Sequence, residues 1–402
     1  MTNLAVDGGA PVRNAPFGPW PVFEPDEIEA ASRVLESGKV NYWTGGECAA
    51  FEKEFAAAFS RRYAISLANG TLALELALLA LNVGPGDDVV VPSRTFIATA
   101  SCVVARGARP VVADVDPESG NVTAMTIAAV MTPQTRAVIV VHLAGWPCDM
   151  DPIQALAAER GIHVIEDCAQ SHGATYKGRS AGSFGICAAF SFCQDKIMTT
   201  GGEGGILVTD DENLWRRAWE YKDHGKSWQA VFERQHPQGF RWLHESFGSN
   251  YRMTEMQAAI GRCQLEKLPN WIARRRRNAE ALALGLARLP GLRVPVPGPE
   301  LGHAYYKFYA FLRTEMLRPG WDQPRIIEAI NAEGIPCLAG SCSEIYREKA
   351  FATAGLAPAE HLPEARRLGE TSLMFLVHPT LDAKDMNVAA AAVAKVMRAA
   401  TL

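Results

Sequence analysis

Short apolar runs alternate with longer, helix-prone stretches through the first half of the chain. Asp88-Val89-Val90-Val91-Pro92, Val111–Val115, Ala137–His142 and Ile162–Asp167 are mostly continuous apolar segments without strict alternation. Such runs predict strands buried on both faces. Between them, Thr71–Asn82, Thr95–Ala105, Thr123–Met131 and Asp151–Arg160 predict helices, the first almost wholly Leu and Ala. The alternation predicts an α/β fold, a mainly parallel central sheet sandwiched by helices. Gly205–Thr209 adds a strand. Its glycine-led start predicts a hairpin-like insertion and not another crossover unit.

The flanking texture differs. Residues 1–25, rich in Gly, Pro and single aromatics, predict an N-terminal arm. Helices are expected from Pro25, whose acidic neighbours suit a helix start, and over Glu47–Phe59. Beyond residue 210, Trp215–Tyr221 and Met253–Leu268 are helical in pattern. Between them Trp228–Phe247 sets aromatics among polar residues, as a long structured loop does. Residues 26–268 thus form a large domain. Residues 269–402, mixing helices with short strands such as Tyr306–Leu312, form a smaller α+β C-terminal domain. The Arg274–Arg277 run is expected to be a solvated helix face.

Composition narrows the functional class. The 402 residues are 48% apolar and 21% charged, with a net charge of −4. That balance argues against nucleic-acid binding and gives no attraction to a membrane. No apolar run approaches the ~20 residues of a membrane span, and the N-terminus lacks the pattern of a signal peptide. Nine cysteines without a Cys-x-x-Cys pair suggest neither a disulfide framework nor a metal site. The expectation is a cytoplasmic protein with reduced thiols and no metal.

The candidate chemistry centres on Lys196, in Ser191-Phe192-Cys193-Gln194-Asp195-Lys196, followed by Gly201-Gly202-Glu203-Gly204-Gly205. Upstream, the predicted strand Ile162–Asp167 ends on Asp167, where ligands of parallel sheets bind. A carboxylate at a strand tip and a lysine framed by small residues suit a pyridoxal 5'-phosphate site. The amine forms a Schiff base with the cofactor, and the carboxylate keeps the pyridine nitrogen protonated. Asn69-Gly70-Thr71 opens a helix, so its free amides can hold a phosphate, with the Thr71 and Ser191 hydroxyls as further donors. It is not a Walker motif, since Gly-Lys-Ser/Thr is missing. Phe96, after a strand, can stack on a ring or simply pack in the core. Gln170 and His172 lie within reach of a ring hydroxyl. Gly201–Gly205 reads as a turn near the lysine, not a dinucleotide fingerprint.

These blocks, in order, resemble the DegT/DnrJ/EryC1/StrS sugar aminotransferases, which are fold type I pyridoxal-phosphate enzymes. The resemblance rests on Asn69-Gly70-Thr71, Pro92-Ser93-Arg94-Thr95-Phe96, Glu166–Gly173, Ser191–Gly205 and Asn250-Tyr251-Arg252-Met253. It implies a lysine attachment and proton shuttle at Lys196, a ring-nitrogen partner at Asp167, and Gln170 near the ring hydroxyl. It further implies phosphate contacts from Gly70, Thr71 and Ser191, ring stacking at Phe96, and Asn250 reaching the phosphate of a neighbouring subunit. A homodimer with shared active sites is therefore implied. The implied reaction is ping-pong: L-glutamate leaves its amine as pyridoxamine 5'-phosphate, and a keto-sugar, nucleotide-linked, takes it up. The product would serve amino-sugar, surface polysaccharide or lipopolysaccharide synthesis. His142–Trp146 departs modestly from the family pattern. Other readings are a non-nucleotide keto-sugar or keto-cyclitol acceptor, a sugar dehydratase (whose relatives carry His where Lys196 stands), and a non-enzymatic binding role. Acceptor contacts are expected among the 228–247 loop, Arg94, Tyr305 and Tyr306.

Overall fold

The apolar runs assemble into one seven-stranded sheet in the computed structural model, which describes residues 3–402. Its strands are β1 (Tyr63–Leu67), β2 (Asp88–Pro92), β3 (Arg109–Ala113), β4 (Thr135–Val141) and β5 (His163–Asp167), then β8 (Cys187–Ser191) and β9 (Gly205–Thr209) after a small hairpin, β6 (Thr175–Tyr176) and β7 (Arg179–Ser180). The order is β1-β9-β8-β5-β4-β2-β3. All pairings from β8 to β3 are parallel, while β9 runs antiparallel to both its neighbours. The glycine-led strand is thus a hairpin return from β8, with Ser191 opposite Gly205, and Lys196 lies in the connecting loop.

Helices cover both faces, as continuous apolar strands require. They are α1 (Pro25–Ser37), α2 (Glu47–Ala58), α3 (Gly70–Ala80), α4 (Ala98–Ala105), α5 (Ala124–Ala128), α6 (Met150–Arg160), α7 (Glu212–Lys222) and α8 (Glu255–Leu286). Side chains α3, α4 and α7 pack with Val89, Val91, Ile139 and Leu207 on one face. On the other, α2 and the start of α8 pack with Phe190 and Val208, and α6 with Val90 and Val138. Alternate residues of one strand therefore serve opposite cores.

A second sheet, β10 (Leu292–Arg293), β12 (Phe308–Leu312), β14 (Ser372–Phe375) and β13 (Cys337–Leu338), forms the smaller layer, while β11 (Leu301–Gly302) joins the β6–β7 hairpin. It packs with α9 (Gln323–Ala332) and α12 (Ala383–Ala400), while α10 (Lys349–Ala354) and α11 (Pro363–Thr371), which fall between these two in the chain, send Phe351, Ala365 and Leu368 into the cores of the large sheet. The arm holds a single 3-10 turn, Ala5–Asp7, and is pinned where the Ala5 and Val12 amides donate to the Glu333 carboxylate.

Two expectations change, and two strands are added. The 268/269 division falls inside α8, which runs on through Pro269. An internal proline costs about 3 kcal/mol, and here burial of Leu268 and Ile272 on either side holds the helix together. The Arg274–Arg277 run is a solvated face only in part, with Arg276 and Arg277 exposed. Arg275 is fully buried, and Arg274 and Arg276 donate to the carbonyls of Leu381 and His303. The added strands are β1 and β8. The Cys-Ala-Ala-Phe-Ser of β8 is small and weakly β-prone, and its position between β5 and β9 makes it a strand.

Candidate functional site

The β1–α3 turn, the carboxyl ends of β2 and β5, and the β8–β9 loop converge on a cavity of about 940 Å³. Gly70, Thr71, Phe96, Gln170, Ser191 and Lys196 all line it. Its far wall comes from the smaller layer, through Tyr306, Lys307, Tyr309 and the 340–342 turn.

At one end α3 begins. Asn69 caps it, Oδ1 accepting from the Leu72 amide at 2.9 Å. The first amides of α3 therefore point into the cavity mouth, where an anion is favoured. Gly70 is required here by space: a Cβ would lie 2.7 Å from the Ser191 Cβ.

Behind this lining, at the tip of β5, lies the buried Asp167, whose neighbours Ala169 and Gln170 line the cavity while it does not. Its Oδ1 accepts from the Ala169 amide at 3.1 Å and its Oδ2 from the Thr99 hydroxyl at 3.0 Å, with Thr95 2.9 Å beyond. Burial pushes the carboxyl above its ordinary value, and those donors and the field of Lys196 only partly offset it. Among the described residues no cation pairs directly with it. Next to it Glu166 points to the other face. Its Oε2 takes the His142 ring and the Gly182 amide, and its Oε1 the Phe184 and Gly185 amides. The His142 Nδ1 accepts from the Cys148 amide, so Nε2–H donates to Glu166. His142, Glu166 and Cys168 converge closely enough to suggest a metal, but the Glu166 oxygens are already filled by four donors.

Lys196 sits in the hairpin loop. Its carbonyl accepts from the Trp20 indole of the arm at 2.9 Å, and Nζ lies 3.6 Å from Asp195 Oδ1. The Tyr306 hydroxyl donates to the same Asp195 carboxylate. Burial raises the Asp195 carboxyl, but Lys196, Tyr306 and Lys307 together hold it below the ordinary range. Gln170 is fixed through its Oε1, which accepts from the Ala144 amide at 2.7 Å and leaves the side-chain NH2 without a protein partner.

Other expectations separate. Asn250 is exposed, bridges Asp223 through the backbone, and does not line this cavity. Arg94 is buried, donates to the Ser343 hydroxyl at 2.8 Å and, with Tyr305, lines a separate void of about 30 Å³. It does not line the main cavity. Tyr306 does line the main cavity. In the 228–247 loop, Trp228 and Phe232 pack on Trp219, whereas Phe240, Trp242 and Phe247 are exposed. The sequence reading missed Thr99, Asp195 and Lys307. Asp195 adjoins the lysine and Thr99 falls one turn after Thr95, but neither spacing is specific without the fold.

Residues 21–394 match the DegT/DnrJ/EryC1/StrS aminotransferase family. The chain belongs to this family. An aminotransferase from Psychrobacter cryohalolentis superposes with a TM-score of 0.94 at 55% identity, over 96% of this chain and 99% of that one. The dTDP-3-amino-3,4,6-trideoxy-alpha-D-glucose transaminase of Streptomyces venezuelae is 37% identical over 89% of this chain and 88% of its own. The L-glutamine:2-deoxy-scyllo-inosose aminotransferase of Streptoalloteichus tenebrarius is 35% identical over 98% of each.

This DegT-family protein is a pyridoxal-phosphate-dependent aminotransferase, and its residues fit the cofactor. Among the described residues the buried Asp167 carboxylate lacks a paired cation, the Lys196 amine lines the cavity in front of it, and the Gly70–Ser191 cradle leaves room only while residue 70 has no side chain. Gly70→Ala is expected to push Ser191 aside and raise the cofactor Kd roughly 10–100-fold, in line with about 1–3 kcal/mol for overpacking. Fluorescence titration of the apoprotein measures it. An unchanged Kd would move the phosphate cradle elsewhere.

No helix among the described residues is long and apolar enough to cross a membrane.

Proposed function

We propose that this aminotransferase moves an amino group from L-glutamate to a nucleotide-linked keto-sugar in amino-sugar synthesis. The observation that carries the reading is the Lys196 amine in a cavity, with the Asp167 carboxylate buried behind its wall within the field of that amine, and the opposite wall built by the smaller layer. At about 940 Å³ it has room for a substrate beside the cofactor.

The bound cofactor supplies an electron sink for a carbanion at the donor α-carbon. Lys196 attaches it at rest, and Nζ then carries the proton taken from that carbon. Asp167 stays ionised and keeps a proton on the ring nitrogen. Gly70, Thr71 and Ser191 hold the phosphate at the start of α3. Phe96, exposed at the cavity wall, offers an aromatic face, and the free NH2 of Gln170 offers a donor to the ring hydroxyl. Asn250 and the exposed Phe240, Trp242 and Phe247 belong to a surface that a second copy of the chain covers, so the enzyme works as a homodimer.

A keto-cyclitol acceptor is the second reading, favoured by the full-length likeness to the Streptoalloteichus enzyme. The test mixes the pyridoxamine 5'-phosphate form with keto-sugar nucleotides, free keto-sugars and keto-cyclitols, and follows products by mass spectrometry. An aminated nucleotide sugar is expected. Amination of the cyclitol alone, or of nothing, would sink the first reading.

A further inference from the structure

The segment His303–Lys307 is held more firmly than a loop needs. The Tyr305 amide donates to the His303 ring at 2.8 Å, and the Ala304 amide to the Gly145 carbonyl at 2.9 Å. The buried Arg275 guanidinium donates to the carbonyls of Tyr305 and Tyr306 at 3.3 Å each. The Tyr306 hydroxyl is fixed on Asp195. Two non-glycine residues accept left-handed backbone here, Tyr305 at φ 49° and, in the facing turn, Ala144 at φ 58°. Gly145 opposes them because a Cβ would lie 2.9 Å from the Tyr305 amide. Such strain persists only where the surroundings enforce it, and it gathers at working sites.

What this segment delivers to the cavity is Lys307. Its Nζ lies 4.8 Å from the Tyr306 ring centroid, and Lys196 Nζ lies 5.2 Å from the same ring. Lys307 also lines an adjoining cavity of about 500 Å³ under the arm, so it stands at the junction of the two. Among the described residues it donates to no protein group. Asp195, the nearby carboxylate, is already engaged by Lys196 and Tyr306. Burial, with Arg275 and Lys196 adding to it, pushes the Lys307 amine down to about 8, only partly countered by Asp195. An anion would relieve that cost. Lys196 is committed to the cofactor, and the buried Arg94 and Arg275 do not line this cavity. Among the described residues of this chain, Lys307 is therefore the lining cation left to read an anionic substrate group.

We propose that Lys307 is the anion-binding residue of the catalytic cavity and takes a carboxylate of the amino donor. This rests on the aminotransferase reading with L-glutamate given above. The same charge could serve the acceptor's diphosphate, so the test separates the two sources. Calorimetry measures binding of glutarate, a dicarboxylate with no amine to transfer, and of dTDP and GDP, to holoenzyme carrying Lys196 unchanged. Lys307→Gln is expected to weaken glutarate roughly 10-fold or more and to raise the KM for L-glutamate alike, with the nucleoside diphosphates within two-fold of wild type. Lys307→Arg should recover most of both. Unchanged glutarate binding in Lys307→Gln overturns the inference, as does a loss confined to dTDP and GDP. Thermal unfolding and the cofactor Kd of each variant show whether folding is intact, and Lys307→Arg decides the case if Lys307→Gln is not. Wild-type enzyme that consumes no L-glutamate sinks the functional reading, whereas wild-type turnover with an indifferent Lys307→Gln sinks this inference alone.

Discussion

Lys196→Ala is expected to reduce turnover below detection and to remove the visible absorption of lysine-bound cofactor, while noncovalent cofactor binding survives in part. Proton transfer by a positioned amine is worth about 10²–10⁴-fold by itself, and this variant also loses the attachment point. The surroundings leave no substitute. Lys307 shares the Tyr306 ring but is carried by the smaller layer, and Asp195 is tied to Tyr306. The fold should be unaffected, because the backbone contacts of residue 196, its amide to the Cys193 carbonyl and its carbonyl to the Trp20 indole, do not involve the side chain. Spectra before and after adding L-glutamate, with steady-state rates, check this. Activity within a few-fold of wild type would remove Lys196 from the mechanism.

How much of this was legible in the chain depends on the kind of signal. Continuous apolar strands such as β2 and β5 announce themselves because both faces are buried, and the Leu/Ala run of α3 does so because every side of it meets protein. Strand ends and glycine-framed segments then locate Asp167, Gly70 and Lys196, whose positions follow from chain order. The contribution of the smaller layer does not. Tyr306 is expected as an acceptor contact and does line the cavity, but Lys307 is not expected there, since nothing local in Ala304-Tyr305-Tyr306-Lys307 marks that lysine as part of a cavity wall. The arginine run misled for the same reason. A charged quartet on a helix looks solvated until a second layer is placed over it, and Arg275 then becomes the buried clamp of the 303–307 segment. Composition also could not reveal that α8 belongs to both layers. Its first half packs against Phe51 and Met253 and its second against Leu292 and Val393, but the helical pattern is unbroken.

Asp167→Asn should separate stability from catalysis. The variant's amide can keep both contacts, accepting from Ala169 and donating to Thr99, whose hydroxyl then turns to Thr95. In the apoprotein, burial makes ionising Asp167 costly, so its carboxyl titrates above the ordinary value. The native state then holds the proton more tightly than the unfolded chain. Apoprotein stability therefore falls as pH rises from the ordinary carboxyl range, near 4, through the raised native value, and the penalty is complete above it. The neutral amide carries no such penalty. The apo variant is expected to melt at or above the wild-type Tm at pH 7, with the difference closing as pH falls toward about 4. With cofactor the order reverses, because the wild-type carboxylate gains a cationic ring nitrogen and the amide does not. Breaking a buried charge pair costs about 3–5 kcal/mol, so turnover should drop roughly 10²–10⁴-fold. Calorimetric melting of apo and loaded forms across pH, beside kcat, tests both halves. Wild-type turnover would place the ring-nitrogen partner elsewhere, and an apo variant less stable at pH 7 would show that the carboxylate is not the burden its burial implies.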